Sequence, residues 1–250
     1  MKNITAIGFD LFNTLITVEP QTLSEALNML VGSLRRNGFS IEEETFKRTY
    51  RETALRFVER ARQDGRETHN SLWISSVLED GGNPISPDDA RISEAVEDYF
   101  SAFYGNCHLL PGTEEMLGAL KDKYCLGLLS NFTHGPAARE ILKLTGLIPY
   151  FKTILISGEL GFRKPHPMVF QKLVEQLGAD KEQILFIGDD PAPDIYGAKR
   201  AGLHPVWSTY VRDNKFPPVP GILRGDLKKP DFEVPTISSW QDLFALLDKK

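Results

Sequence analysis

The feature that most constrains this chain is a set of short apolar runs, each of which stops on a residue able to do chemistry. The run at residues 4–9 stops on Asp10, the run at 126–129 stops on Ser130, and the run at 184–187 stops on Gly188-Asp189. Residues 153–156 and 205–207 read as two further buried strands. Continuous apolar runs this short, bounded by turn residues, suit strands covered on both faces rather than helices. Helical patterns with clear punctuation lie between them: Pro136 and Pro167 suit first helical positions, and Gly146, Gly178 and Gly202 suit helix stops. Strands alternating with helices imply an α/β fold, a doubly wound parallel sheet of Rossmann-like form. Such sheets bind ligands beyond the carboxyl ends of their strands, which is where Asp10, Ser130 and Asp189 fall.

Residues 17–105 break this rhythm. Leu23, Leu27, Leu30, Val31 and Leu34 recur at helical spacing, with Gly38 as a stop. Phe46, Tyr50, Phe57, Val58 and Ala61 mark a second, longer helix, and residues 72–78 a third. Ser86 followed by Pro87 predicts an N-cap and first turn leading into Ile92, Val96, Tyr99, Phe100 and Phe103. The expected organisation is a core of residues 1–16 and 106–250 with an all-helical insertion at 17–105. Residues 212–235, rich in proline, are expected to form an ordered connecting loop, and residues 240–247 a closing helix. No internal repeat or low-complexity tract interrupts this plan.

Composition narrows the function. A formal charge of −5 leaves no basic footprint, so nucleic acid is not an expected partner. No stretch approaches the ~18 apolar residues of a membrane span, and residues 1–9 lack the length and cleavage-like site of a signal peptide. Cytoplasmic localisation is the expectation, and nothing in the sequence sets an oligomeric state. The two cysteines, Cys107 and Cys125, lack metal or redox spacing, and Cys125 is expected to be a buried small hydrophobe.

The strand-end residues form a chemical set. Asp10 and Asp189, with Asp190 and Asp194 close behind, would gather carboxylate oxygens suited to a hard cation such as Mg²⁺. Lys164, in Gly161-Phe162-Arg163-Lys164-Pro165, could neutralise transferring phosphoryl oxygens. Ser130-Asn131 ends a strand with a hydroxyl and backbone donors able to hold an anion. Singly, each has an ordinary structural explanation; their order and shared strand-end placement point to one site. In the insertion, Arg66, His69 and Trp73 would share a face if residues 66–79 were helical, and could line a substrate entrance. The alternative is that Arg66 and His69 are solvated and Trp73 is core.

These pieces resemble the four motifs of the haloacid dehalogenase (HAD) superfamily in the family's order. The first is Phe9-Asp10-Leu11-Phe12-Asn13-Thr14-Leu15, similar to the family's Asp-x-Asp-x-Thr. The second is Leu128-Leu129-Ser130-Asn131, the third centres on Lys164, and the fourth is Gly188-Asp189-Asp190 with Asp194. The run from Gly197 to Gly202 is similar to the helix that follows the fourth motif. The resemblance implies a hydrolase with a helical cap inserted after the first motif. It implies Asp10 as a nucleophile forming a covalent aspartyl intermediate, Thr14 near the site, and Ser130 and Asn131 around the phosphoryl oxygens. Lys164 would bridge nucleophile and substrate charge. Mg²⁺ would be held by Asp10, Asp189 and the backbone carbonyl of Phe12, with Asp190 or Asp194 supporting the metal or Lys164.

One position departs from the pattern. The family's phosphatases place an aspartate two residues after the nucleophile, as acid for the leaving oxygen and base for water. This chain has Phe12, which carries no proton. Three readings follow. The first is a magnesium-dependent, phosphatase-like hydrolase of low or specialised activity on a small phosphorylated substrate. The second is a 2-haloacid dehalogenase, whose halide leaves without protonation but whose chemistry needs no acidic fourth motif. The third is a catalytically quiet protein that binds a phosphorylated ligand.

Overall fold

The computed structural model describes residues 3–218 and 228–248. Six parallel strands form the central sheet: β1 (Ala6–Phe9), β4 (Cys125–Ser130), β5 (Thr153–Ile156), β6 (Ile184–Gly188), β7 (His204–Ser208) and β8 (Thr236–Ile237). Their spatial order is β5-β4-β1-β6-β7-β8, with every neighbouring pair parallel. β1 therefore lies centrally, and its register sets Phe9 beside Leu128 on one flank and Ile187 on the other. Asp10 follows Phe9 directly, and Ser130 and Asp189 lie two residues beyond Leu128 and Ile187, so all three come to the same end of the sheet.

Both faces are covered, as buried apolar strands require. Ile7 and Phe9 point into a large cluster shared with Met116, Leu117 and Leu120 of α5 (Thr113–Lys121) and with Ala137, Ile141 and Leu142 of α6 (Gly135–Leu144). Leu243 of α11 (Trp240–Asp248) closes that layer. The opposite face holds a smaller cluster in which Ala6, Leu129 and Phe186 meet Phe170, Leu173 and Leu177 of α8 (Pro167–Leu177) and Ala198 of α9 (Gly197–Ala201). The cross-strand pair Gly8 and Gly127 makes room for α8, since a Cβ on either would come within 2.9 Å of Leu173. Short helices α7 (Ser157–Leu160) and α10 (Tyr210–Asp213) follow β5 and β7.

The insertion is helical: α1 (Thr22–Arg36), α2 (Glu43–Asp64), α3 (Asn70–Asp80) and α4 (Ala90–Ser101). Leu27, Leu30 and Leu34 of α1 and Tyr50, Trp73, Tyr99 and Phe100 of the others make its apolar interior. Two antiparallel strands, β2 (Ile16–Val18) and β3 (Cys107–Leu109), form a ribbon at its base, which the sequence pattern did not reveal. β2 crosses the expected boundary at residue 16, and β3 begins just past the one at 106. Three local expectations change. The N-cap of α4 is Asp89, whose side chain accepts from the Arg91 amide, rather than Ser86. Cys125 is half-buried at a strand start, and Cys107 is the buried cysteine. Arg212 is helical, and part of the expected connecting loop, residues 219–227, lies outside the described residues. Among the described residues no helix is long and apolar enough to cross a membrane.

Candidate active site

The site is assembled where β1, β4 and β6 end side by side. β1 passes its last ladder bond from the Asp10 amide to the Ile187 carbonyl at 2.8 Å, which fixes Asp10 against β6. The chain then turns sharply, with Asn13 in the left-handed region at φ 60°, a conformation asparagine tolerates better than most residues. This turn brings Thr14 back, so that its hydroxyl donates to Asp10 Oδ2 at 3.2 Å. A bridge joins the turn to the following strand through the bonds Ile16 N to Leu11 O and Asn13 N to Ile16 O. Those bonds use the groups flanking the Phe12 carbonyl rather than that carbonyl itself.

Lys164 is the hub. Its ammonium is buried, donates to Asp10 Oδ1 at 2.5 Å and lies 2.8 Å from Asp194 Oδ1. Burial works against the charged form, but the Asp10 and Asp194 carboxylates outweigh it and hold the amine above its ordinary range. Asn131 fastens the lysine from behind: its Nδ2 donates to the Lys164 carbonyl at 2.9 Å and its Oδ1 accepts from the Lys164 amide at 2.8 Å. Ser130, buried at the end of β4, completes that flank.

Asp194 comes from a π-helical turn, Pro191–Tyr196, a form frequent at functional sites. Gly188 permits its approach, because a Cβ there would sit 2.4 Å from the Asp194 carboxyl. The Asp194 Oδ2 also accepts from the Asp190 amide at 3.0 Å. Burial, together with the negative charge of Asp10 and Asp190, pushes the Asp194 carboxyl up to about 7 against the pull of Lys164.

Carboxylate oxygens of Asp10, Asp189 and Asp194 lie within 4.8 Å of one another. Such an all-oxygen set is what a hard divalent cation takes, and Mg²⁺ in particular uses few carboxylates and keeps the rest as water or substrate oxygen. The electrostatics agree with that fit: Asp10 and Asp194 share the buried Lys164 ammonium, and the Asp189 carboxylate lies within reach of both. Asp190 caps the π-helical turn, its Oδ1 accepting from Ala192 N, and burial raises its carboxyl. Asp194 takes the place beside Lys164 that the sequence left open between the two.

The expected face of Arg66, His69 and Trp73 does not form. The helix begins at Asn70, so Arg66 lies in an extended bridge with Phe162 and His69 is the N-cap residue. Trp73 is 2% exposed and its indole donates to Thr68 Oγ1, which makes it part of the insertion's interior. Two features escaped the sequence reading. Phe12 stacks on Phe132 with ring centroids 5.1 Å apart, and Phe132 in turn packs on Phe100 of α4. Arg62, in the last turn of α2 ahead of the Asp64-Gly65 helix stop, lends positive charge to Asp190. The stop was legible; the turn's destination over the site depends on how the insertion packs.

A model of the haloacid dehalogenase-like hydrolases matches residues 4–202. The chain belongs to that family. Among curated proteins it is similar to the glyceraldehyde 3-phosphate phosphatase of Pyrococcus abyssi, with 29% identity over 210 residues covering 83% of this chain and 82% of the relative. Among solved structures it matches a 2-haloacid dehalogenase from Pseudomonas syringae with a TM-score of 0.68 and 22% identity, covering 98% of each chain. It also matches the putative HAD-hydrolase YfnB from Bacillus subtilis, described as bound to magnesium, with a TM-score of 0.64 and 21% identity over 99% of this chain and all of that one. The HAD core explains why the four motif segments converge although residues 10 and 194 are far apart in sequence. The phosphatase relatives support an enzyme of phosphatase type.

Proposed function

We propose that this chain is a magnesium-dependent phosphohydrolase with Asp10 as its nucleophile, directed at small substrates whose leaving group needs no proton. The observation that carries the reading is Phe12 stacked on Phe132 beside an otherwise complete acidic and cationic site. Residues 17–105 act as its cap, placing Phe100 behind the Phe12–Phe132 stack and the last turn of α2 near Asp190.

Asp10, Asp189 and Asp194, with the Phe12 carbonyl, would hold the cation, and Asp190 would steady the turn that carries Asp194. Bound there, Mg²⁺ would offset the carboxylate charge and that of the phosphoryl oxygens. Lys164 and Thr14 hold the Asp10 carboxylate in one orientation, which supplies positioning before any bond changes. An Asp10 oxygen forms a bond to phosphorus while the bond from phosphorus to the leaving oxygen breaks, and the electron pair departs with that oxygen. A carboxylate leaving group from an acyl phosphate is stable without protonation, whereas an alkoxide is not. Lys164 and the Ser130 hydroxyl face the charge spread over the phosphoryl oxygens. Water then attacks the aspartyl phosphate, freeing Asp10 and phosphate. With phenylalanine at position 12 no side chain there takes the water's proton, so this second step is the slow one.

The Phe12 ring also suits a dehalogenase, in which halide leaves unprotonated. The three-carboxylate cluster weighs against it, since carbon–halogen displacement makes no use of a divalent cation. The test is a panel of alkyl phosphates, acetyl phosphate and 2-haloacids with and without Mg²⁺. Magnesium-dependent phosphate release, fastest from acetyl phosphate, is expected. Halide release without metal would favour the dehalogenase, and no turnover would leave a binder of phosphorylated ligands.

A further inference from the structure

We propose that Glu67 is a positioning residue for Lys164, acting through Arg163 and a short backbone ladder between the helical insertion and the Lys164 loop. The functional part of this inference rests on the reading that Lys164 serves the chemistry of Asp10.

The loop at residues 161–166 is held from two sides. On the core side Asn131 makes its paired bonds to the Lys164 backbone. On the other side the segment joining α2 to α3 runs antiparallel to it. The Arg163 amide donates to the Gly65 carbonyl and the Glu67 amide to the Gly161 carbonyl, both at 3.0 Å, with Arg66 bridged to Phe162 between them. A ladder of two bonds specifies its own register weakly. The side chains across it supply what it lacks: Glu67 Oε1 accepts from Arg163 Nη1 at 3.1 Å.

That ion pair is a poor device for stability alone. The Glu67 side chain is fully buried, the Arg163 side chain is 15% exposed, and the second Glu67 oxygen, Oε2, has no hydrogen-bond partner. Burying such a pair costs desolvation that an apolar pair of similar size avoids, and an orphaned carboxylate oxygen adds to the cost. A charge pair does what an apolar pair cannot, which is to penalise every other register. Here a slip would draw Arg163, and with it the adjoining Lys164 backbone, away from Asn131. Glu67 therefore ties the placement of the insertion to the placement of the lysine that bonds Asp10.

The test uses the full chain with Mg²⁺ and the variant Glu67→Gln, which keeps size and removes charge. Site-resolved amide exchange should show the Arg163 and Lys164 amides opening roughly three- to thirtyfold faster, while amides within β1 and β4 stay unchanged. With acetyl phosphate, kcat should fall by a similar factor while KM stays within about twofold. Glu67→Asp, which retains the charge, should recover part of both losses. If Glu67→Gln does not fold, Arg163→Gln, which removes the charge from the other side of the pair, carries the same comparison. An unchanged Lys164 amide overturns the proposal, and so does acceleration shared equally with β1 and β4, which would mark general destabilisation. A parent that turns over nothing would sink the phosphohydrolase reading, while the exchange data would still decide the role of Glu67.

Discussion

Replacing Phe12 by aspartate should convert this protein into a better general phosphatase, and the structure lets the gain and the cost be set apart. A positioned acid and base contributes ~10²- to 10⁴-fold, about 3–5 kcal/mol of barrier. The cost is the stack on Phe132, worth about 0.5–1.5 kcal/mol beyond area burial, plus about 1 kcal/mol for a half-buried ring. Melting should therefore drop by roughly 4–8 °C, tolerable in a chain of this size. Phe12→Asn loses the same stack without gaining a titratable group, so comparing the two variants isolates the proton. The assay is phosphate release with Mg²⁺, read as kcat/KM and kcat separately. For an alkyl phosphate, kcat/KM should rise by at least ~100-fold in Phe12→Asp over Phe12→Asn. For acetyl phosphate, kcat/KM should barely change, because its leaving group needs no proton, while kcat should rise as water gains a base. If both folded variants hydrolyse alkyl phosphates equally, the missing carboxylate is not what limits this site.

Three further outcomes follow from the geometry. Asp189→Ala should weaken Mg²⁺ binding by more than ~10-fold in calorimetric titration, since losing even an outer-shell partner commonly costs that much. Lys164→Met strands Asp10 and Asp194 without their shared ammonium, so without metal it should lose about 3–5 kcal/mol in denaturant melts. Added Mg²⁺ should stabilise that variant more than the parent, while turnover stays at least ~100-fold down. Trp73→Phe removes the indole bond to Thr68 and should cost about 1 kcal/mol of stability with kcat and KM unchanged; a raised KM would return Trp73 to the substrate surface.

The core and its site were legible because their signals are local. Each apolar run that became β1, β4 or β6 ends on the residue that the sheet then delivers to the site, and parallel pairing alone brings Asp10, Ser130 and Asp189 to one edge. Helix stops were read at Gly178 and Gly202, both left-handed C-caps in the structure. The ribbon of β2 and β3 was missed because three-residue strands carry almost no periodicity. The helix read at 72–78 forms, but the face that Arg66, His69 and Trp73 would share if 66–79 were helical does not, because 65–67 pairs with 161–163 and tertiary bonding overrides the pattern. The choice between Asp190 and Asp194 turned on a π-helical turn that folds Asp194 back over Gly188, which no spacing rule supplies.

The central claim is that Asp10 forms a covalent phosphoenzyme whose hydrolysis, lacking a base at position 12, is the slow step. Rapid mixing with acetyl phosphate and Mg²⁺, followed by acid quench and peptide mass spectrometry, tests it directly. The account predicts an acyl-phosphate label on Asp10 that approaches one per chain before steady turnover begins, absent from Asp10→Asn and short-lived in Phe12→Asp. Magnesium-dependent turnover that proceeds without label on Asp10, and survives Asp10→Asn, would contradict it.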